Sequence, residues 1–241
     1  MQRQRIHILG ITIDNVTMDE AVDRIVQFAA SGAFRHAVTV NPEFIMAARN
    51  DPAFAAVLTT ADLAVPDGIG LIWAARWRGQ PLRERVAGVD LVEQVAAVAA
   101  ARGLRLYLLG ARPGTADAAA ATLTNRYPGL IIAGAYAGTP HPDEDAAIAA
   151  RICEAAPHIL FVAYGAPQQD LWIARNRARL PAGVAMGVGG AFDFICGRAR
   201  RAPRWMQRLG LEWLHRLYHE PWRWRRMLAL PRFVWAVLKE R

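Results

Sequence analysis

Arg105-Leu-Tyr-Leu-Leu-Gly110-Ala-Arg-Pro-Gly-Thr115-Ala-Asp-Ala-Ala-Ala-Ala-Thr-Leu-Thr-Asn-Arg126 is the stretch that decides the fold. It opens with a short β-rich apolar run, breaks at Gly110, Pro113 and Gly114, and continues into an Ala-rich helical segment from Thr115. A strand, a glycine turn and a helix make half of a βαβ crossover, the connection that parallel strands require. The same alternation repeats along the chain. Strands are predicted at 6–13, 36–40, 63–65, 105–109, 130–133, 159–163 and 184–188, and helices at 18–30, 43–49, 52–58, 69–77, 89–101, 115–126, 142–154 and 167–179. Thr17 with Glu20 reads as a capping box for the first helix. The expected fold is α/β: a Rossmann-like, mainly parallel sheet covered by helices on both faces. In such sheets ligands sit beyond the carboxyl ends of the strands.

Those junctions carry unusual residues. They read Thr39-Val-Asn41-Pro-Glu43, Pro66-Asp67-Gly68-Ile-Gly70, Gly110-Ala-Arg-Pro-Gly114-Thr, Tyr164-Gly165-Ala-Pro-Gln-Gln169-Asp170 and Gly187-Val-Gly189-Gly190-Ala-Phe-Asp193. Glycine before a helix start lets backbone N–H groups approach a phosphate, and the helix N-terminus adds partial positive charge. A nucleotide diphosphate is therefore the expected ligand class, although Gly and Pro punctuate any α/β loop. No GxGxxG follows the first strand, and the chain's only lysine, Lys239, belongs to no phosphate-binding loop, so dinucleotide binding and ATP hydrolysis are set aside.

Charge divides the chain unevenly. Residues 198–241 hold 12 basic and 3 acidic side chains, net +9, whereas residues 1–197 hold 17 basic and 18 acidic, net −1. Five of the eight tryptophans (Trp205, Trp213, Trp222, Trp224 and Trp235) fall in that tail among its arginines. Indole suits the acyl boundary and guanidinium pairs with phosphate, and each basic residue near an anionic leaflet is worth about 1 kcal/mol. The expected organisation is a Rossmann-like core at 1–197 and a basic, helical, membrane-targeting appendage at 198–241. Two other readings of the tail stay open. Nucleic acid rewards the same residues, but no finger, RNP or basic-zipper pattern occurs, so no nucleic-acid partner is expected. Ordinary amphipathic helices with Trp packed on the body are the plainer alternative.

The other bounds are quickly drawn. At 241 residues with 54% hydrophobic composition, one substantial core is expected. Cys153 and Cys196 form no ligand cluster and give no sign of an oxidising compartment. The apolar stretch after Arg5 is interrupted by His7 and ends at Asp14, so no signal peptide is expected. No run of 18 apolar residues exists, which leaves a cytoplasmic protein, peripheral on the inner face of the membrane. An exposed apolar face on the body is compatible with a homo-oligomer.

Asp67 is the leading candidate for acid–base work, because a carboxylate at a parallel strand end, flanked by Pro66 and Gly68, is held rigidly towards a ligand. A simple Pro-Asp-Gly turn is the competing explanation. Arg85, just before a helix, is a candidate to grip phosphate, with a solvated loop charge beside Arg83 as the alternative. Asp143-Glu144-Asp145 matches the DxD pattern of metal-dependent sugar transferases, but it opens a helix, where acids stabilise the first turn. The histidines are scattered, and neither a metal site nor a cofactor is expected.

Taken in order from about residue 6 to residue 233, the motifs resemble one family. Thr39-Val-Asn-Pro-Glu43, Ala61-Asp-Leu-Ala-Val-Pro-Asp67-Gly-Ile-Gly70, Arg85-Val-Ala-Gly-Val-Asp90, Gly165-Ala-Pro-Gln-Gln169-Asp, Gly187-Val-Gly-Gly-Ala-Phe-Asp193 and Arg216-Leu-Tyr-His-Glu-Pro-Trp-Arg223-Trp-Arg-Arg226 together are similar to the WecG/TagA/CpsF family of bacterial glycosyltransferases. The resemblance implies metal-independent, inverting transfer of N-acetylmannosamine, or its uronic acid, from a UDP-sugar to undecaprenyl-diphosphate-linked N-acetylglucosamine. The product serves teichoic acid, common antigen or capsule synthesis. It implies a base at Asp67, pocket residues at Thr39, Arg85 and Gln169, and arginines at Arg216, Arg223 and Arg226 in an appendage that completes the site. Asn41, Gly68, Gly110, Tyr164, Gly165, Gly189, Gly190 and Asp193 are expected on the substrate. One departure is Asp170, where the family more often has Glu. A different donor such as UDP-glucose, and a non-catalytic nucleotide-binding module with a recruiting tail, are the rival readings.

Overall fold

The computed structural model describes residues 4–181 and 183–240. In chain order the elements are β1 (Arg5–Ile8), β2 (Ile11–Asp14), α1 (Met18–Ala29), β3 (Phe34–Val40), α2 (Pro42–Ala48), α3 (Pro52–Thr60), β4 (Leu63–Pro66), α4 (Ile69–Trp77), α5 (Gly88–Arg102), β5 (Arg105–Gly110), α6 (Thr115–Arg126) and β6 (Ile131–Tyr136). A 3₁₀ turn at Pro142–Glu144 leads into α7 (Asp145–Ala155), then β7 (Ile159–Ala163), α8 (Gln168–Asn176), β8 (Gly183–Gly187) and α9 (Ala191–Ile195). The tail forms α10 (Arg204–Arg208), α11 (Glu212–His219), a 3₁₀ turn at Pro221–Arg223, α12 (Trp224–Met227) and α13 (Ala229–Lys239).

Six strands form one parallel sheet in the order β4-β3-β8-β7-β5-β6. Strand residues alternate between two cores: Ala37, Leu63, Val65, Leu106, Phe161 and Met186 face α1, α5, α6 and α9, while their neighbours face the opposite side. There α2, α3, α4 and α13 cover β3 and β4, and α7 and α8 cover the strands beyond β8. The expected Rossmann-like α/β sheet, covered on both faces, is what the chain forms. Thr17 caps α1 as its spacing predicts, accepting from the Glu20 N–H at 3.3 Å while the Glu20 carboxylate accepts from the Thr17 N–H at 3.1 Å.

The predicted strand at 6–13 is corrected to a hairpin of β1 and β2, separate from the main sheet. Leu9 and Gly10 both take positive φ, 49° and 81°, the geometry of a two-residue hairpin turn. A single strand would have put Ile6 and Ile8 on one face and Ile11 and Ile13 on the other. The turn brings all four into the same core.

The topology locates the cleft. After β3 the chain turns to α2 on one face, and after the adjacent β8 it turns to α9 on the other. Where neighbouring strands send their helices to opposite faces, a crevice opens at their carboxyl ends. The tail closes over it. Helix α13 inserts Phe233 and Val237, 2% and 5% exposed, into the core that contains α2 and α4.

Candidate active site

The crevice holds a cavity of about 220 Å³ walled by the ends of β3 and β4, the start of α5 and the tail. Asp67 enters it directly after β4. Its N–H donates to the Val40 carbonyl at 2.7 Å, and the Val86 N–H donates to the Pro66 carbonyl at 2.9 Å, so the turn is pinned on both sides. Space for side chains is short around it. A Cβ on Gly70 would lie 2.7 Å from Pro42 Cγ, and one on Gly88 would lie 3.2 Å from Asp67 Oδ2. Bare backbone at Gly88 lets the start of α5 meet the carboxylate and donate its N–H.

Burial pushes the Asp67 carboxyl up from 3.8 to about 6, against the pull of Arg85 and the Gly88 N–H, with Glu212 and Asp90 adding to the rise. Desolvation outweighing a nearby cation is the balance that gives a carboxylate basicity near neutral pH.

Beneath the cavity two buried side chains, Thr39 and Gln169, hold the loop after β8. The Thr39 hydroxyl donates to the Gly187 carbonyl at 3.2 Å, and Gln169 Oε1 accepts from the Gly189 N–H at 2.9 Å. His36 Nε2 lies 3.3 Å from Asp170 Oδ1. Gly187 has no space for a side chain, since a Cβ would stand 2.4 Å from the Gln169 amide nitrogen. Thr39 and Gln169 therefore sit behind the cavity wall and shape the Gly189–Gly190 loop from below.

The other wall is cationic. Arg85 donates to Glu212 at 3.0 Å, and Arg201 reaches Glu212 at 3.3 Å while also pairing with Asp90, so two acids and two arginines lace the tail to the body. Arg216 stacks over Phe194 with 5.1 Å to the ring centroid and touches Glu220 at 3.5 Å. Arg223 shares Glu220 at 2.7 Å. Burial pushes the Arg216 pKa down, helped by the charges of Arg223 and Arg226, which Glu220 only partly offsets. The Nε atoms of Arg201, Arg216 and Arg223 are buried without a hydrogen-bond partner. Arg85, Arg201, Arg216 and Arg223 share the three acids Asp90, Glu212 and Glu220, so this wall carries more cations than the acids paired with them.

Several of the residues expected at the site line this cavity and others lie apart from it. Asn41, Asp67, Gly68, Arg85, Arg216 and Arg223 line it. Arg226 pairs with Glu43 and lines a neighbouring cavity. Gly110 and Tyr164 lie elsewhere, at the ends of β5 and β7. A Cβ on Gly110 would stand 2.8 Å from the Ala163 backbone, which accounts for glycine there, and the Tyr164 ring packs edge-on against Trp172. None of Gly165, Gly189, Gly190 and Asp193 lines the cavity, the two glycines at 189 and 190 being held behind its wall by the Gln169 bond to the Gly189 N–H. Arg201 and Glu212 were missed, because their roles appear only once the tail folds back onto Arg85 and Asp90. The acids at 143–145 open α7, and Asp145 is held by Arg175 at 2.5 and 2.9 Å. No group of three or more metal-ligating side chains gathers among the described residues.

A parallel α/β sheet, a switch-point crevice, a buried carboxylate with a raised pKa and a wall rich in arginine are the features of an enzyme active site suited to an anionic ligand. The comparisons make this specific. A model described as "Glycosyl transferase WecG/TagA/CpsF family" matches residues 6–241, and the chain belongs to that family of hexosyltransferases. Similar proteins include the N-acetylglucosaminyldiphosphoundecaprenol N-acetyl-beta-D-mannosaminyltransferase of Bacillus subtilis strain 168, 38% identical across 84% of this chain and 78% of its own. The protein of the same name from Bacillus spizizenii strain W23 is 38% identical across 86% and 79%, and that of Staphylococcus aureus strain MW2 is 31% identical across 98% and 92%.

Proposed function

We propose that this glycosyltransferase moves N-acetylmannosamine from UDP to the sugar hydroxyl of a polyprenyl-diphosphate-linked N-acetylglucosamine, with inversion, in cell-surface polysaccharide synthesis. The names of its relatives supply the sugars, and the juxtaposition of Asp67 with the arginine wall carries the mechanism. Asp67 takes the proton of the acceptor hydroxyl, that oxygen bonds to the anomeric carbon, and the bond from that carbon to the β-phosphate oxygen breaks with its electron pair leaving on UDP. Base catalysis of this kind is worth about 10²–10⁴-fold. Arg85, Arg201, Arg216 and Arg223 receive the charge that develops on the diphosphate. The tail tryptophans, each at least 40% exposed, favour work at a cytoplasmic membrane surface. Among the described residues no helix is long and apolar enough to cross a membrane.

UDP release from UDP-N-acetylmannosamine and a short-chain polyprenyl-diphosphate-N-acetylglucosamine, measured with EDTA present, tests this reading. Wild type is expected to release UDP only with acceptor, and Asp67→Asn to lose at least 10²-fold in kcat while UDP affinity stays within a few-fold. The folded Asp67 pKa exceeds the unfolded value, so its stabilising effect is complete below about 3.8 and lost as pH rises through about 6. Asp67→Asn is therefore expected to melt no lower than wild type at pH 8, which separates lost chemistry from lost fold. Release with a different UDP-sugar alone would overturn the donor, and an active Asp67→Asn would overturn the base.

A further inference from the structure

The proposed reaction brings two diphosphates to the protein together, one on the donor and one on the acceptor. The cleft at Asp67 provides a single cationic wall. A second cavity, about 250 Å³, opens between α2 and the tail helices α12 and α13. Arg225, Arg226 and Arg232 stand over it, and Phe44 and Met46 give it an apolar floor. The two cavities share Glu43, whose carboxylate accepts from Arg226 at 2.7 and 2.9 Å, so this ion pair is the partition between them.

The charge on the second cavity is unbalanced. Glu43 neutralises Arg226, whereas Arg225 and Arg232 have no acidic partner among the described residues, and Arg225 rests on the Trp224 ring at 5.5 Å. Two free guanidinium groups match the two phosphates of a diphosphate, each able to bind in bidentate fashion. An apolar floor beside them has no use for a wholly hydrophilic anion. Trp235, three residues on from Arg232 along α13 and 51% exposed, shares that side of the helix and leads outward from the cavity.

We propose that this groove binds the isoprenoid diphosphate of the acceptor: Arg225 and Arg232 hold the diphosphate, the first isoprene units lie on Phe44 and Met46, and the attached sugar passes the Glu43–Arg226 partition towards Asp67. The assignment rests on the preceding reading only in taking the acceptor to be a polyprenyl diphosphate. Donor and acceptor then enter from opposite sides of one ion pair, and neither diphosphate competes for the other's cations.

The test uses the full chain as wild type, R225A/R232A and Met46→Asn, titrated with farnesyl diphosphate, inorganic diphosphate, UDP and phosphatidylglycerol vesicles. Loss of two charged contacts is expected to weaken farnesyl diphosphate at least tenfold in R225A/R232A. Met46→Asn is expected to weaken farnesyl diphosphate but not inorganic diphosphate. UDP affinity stays within twofold in both variants, which reports an intact fold and donor cleft. In turnover the acceptor KM rises at least tenfold in R225A/R232A, with donor KM and kcat within twofold. Unchanged farnesyl diphosphate affinity in R225A/R232A overturns the groove, including when vesicle binding falls, since these arginines would then serve the membrane alone. Wild type that binds farnesyl diphosphate through these residues yet transfers no sugar would sustain the groove and overturn the reaction instead.

Discussion

At Asp67 the backbone and the chemistry are fixed by the same few atoms. Its N–H bond to Val40 and the absence of side chains on Gly68 and Gly88 set the carboxylate where α5 begins, and burial there holds its pKa near 6. A base must be ionised to accept a proton, so kcat/KM is expected to fall about tenfold per pH unit below that value and to level off above it. Glu212 raises the Asp67 pKa and occupies Arg85 at 3.0 Å. Glu212→Gln removes a negative charge and frees a positive one, and both changes favour the Asp67 anion. The acid limb of the pH profile is expected to move to lower pH, so that at pH 5 the variant keeps a larger share of its plateau rate than wild type. An unmoved or raised limb would show that another group governs it. The place of Asp67 in the cavity was legible in the sequence because it follows a strand end before a helix start, although Pro66-Asp67-Gly68 alone reads equally as a plain turn. Glu212 was not, since its partner Arg85 is 127 residues away.

Among the elements, those with a strong local signal formed where expected, and the misread ones depended on distant partners. Helices α4 (Ile69–Trp77) and α6 (Thr115–Arg126) match their predicted bounds, each set between glycine turns or β-rich runs. The hairpin was hidden because Leu9-Gly10 lies inside an otherwise continuous β-rich run, and only burial of all four isoleucines on one side distinguishes two strands from one. Helix α13 is the clearest case of context deciding a role. Its Phe233 and Val237 are buried one helical turn apart, while Val234, Trp235 and Leu238 are exposed. Phe233 therefore anchors the tail to α2 and α4, and Phe233→Ala is expected to cost ~3–5 kcal/mol of that docking. Native-state hydrogen exchange reads this directly. Amides of α13 are expected to lose at least 10²-fold in protection while those of β5 and β7 change little, because tail opening is local. Turnover should fall with it, since the tail supplies Arg201, Arg216 and Arg223 to the cleft. Unchanged α13 protection would mean that the polar lacing through Glu212, rather than Phe233, holds the tail.

Over the whole molecule, apolar surface and positive charge fall on the same appendage. A helix that is apolar on two sides needs a cover on both, and the body covers only one side of α13. Its outer residues Val234, Trp235 and Leu238, Trp222 and Trp224 before it, and Trp73 on neighbouring α4 are all exposed, in a tail that also carries Arg225 and Arg232. Burying indole at the acyl boundary supplies a salt-insensitive attraction, whereas arginines on anionic headgroups supply one that is screened within about 8 Å at physiological ionic strength. The two are separable by experiment. Sedimentation with phosphatidylglycerol-containing vesicles is expected to bind the wild-type chain, with affinity falling steeply between 50 and about 300 mM salt to a residual floor. W73S/W235S should lower that floor by about tenfold and leave the steepness alone, because burial of each indole contributes without charge. Both tryptophans are already exposed, so the variant should melt within a degree or two of wild type. Equal binding by wild type and W73S/W235S at high salt would assign membrane attachment to charge alone. The exposed aromatic residues would then be left to contacts between copies of the chain, which the same preparation reveals as a change in sedimentation without vesicles.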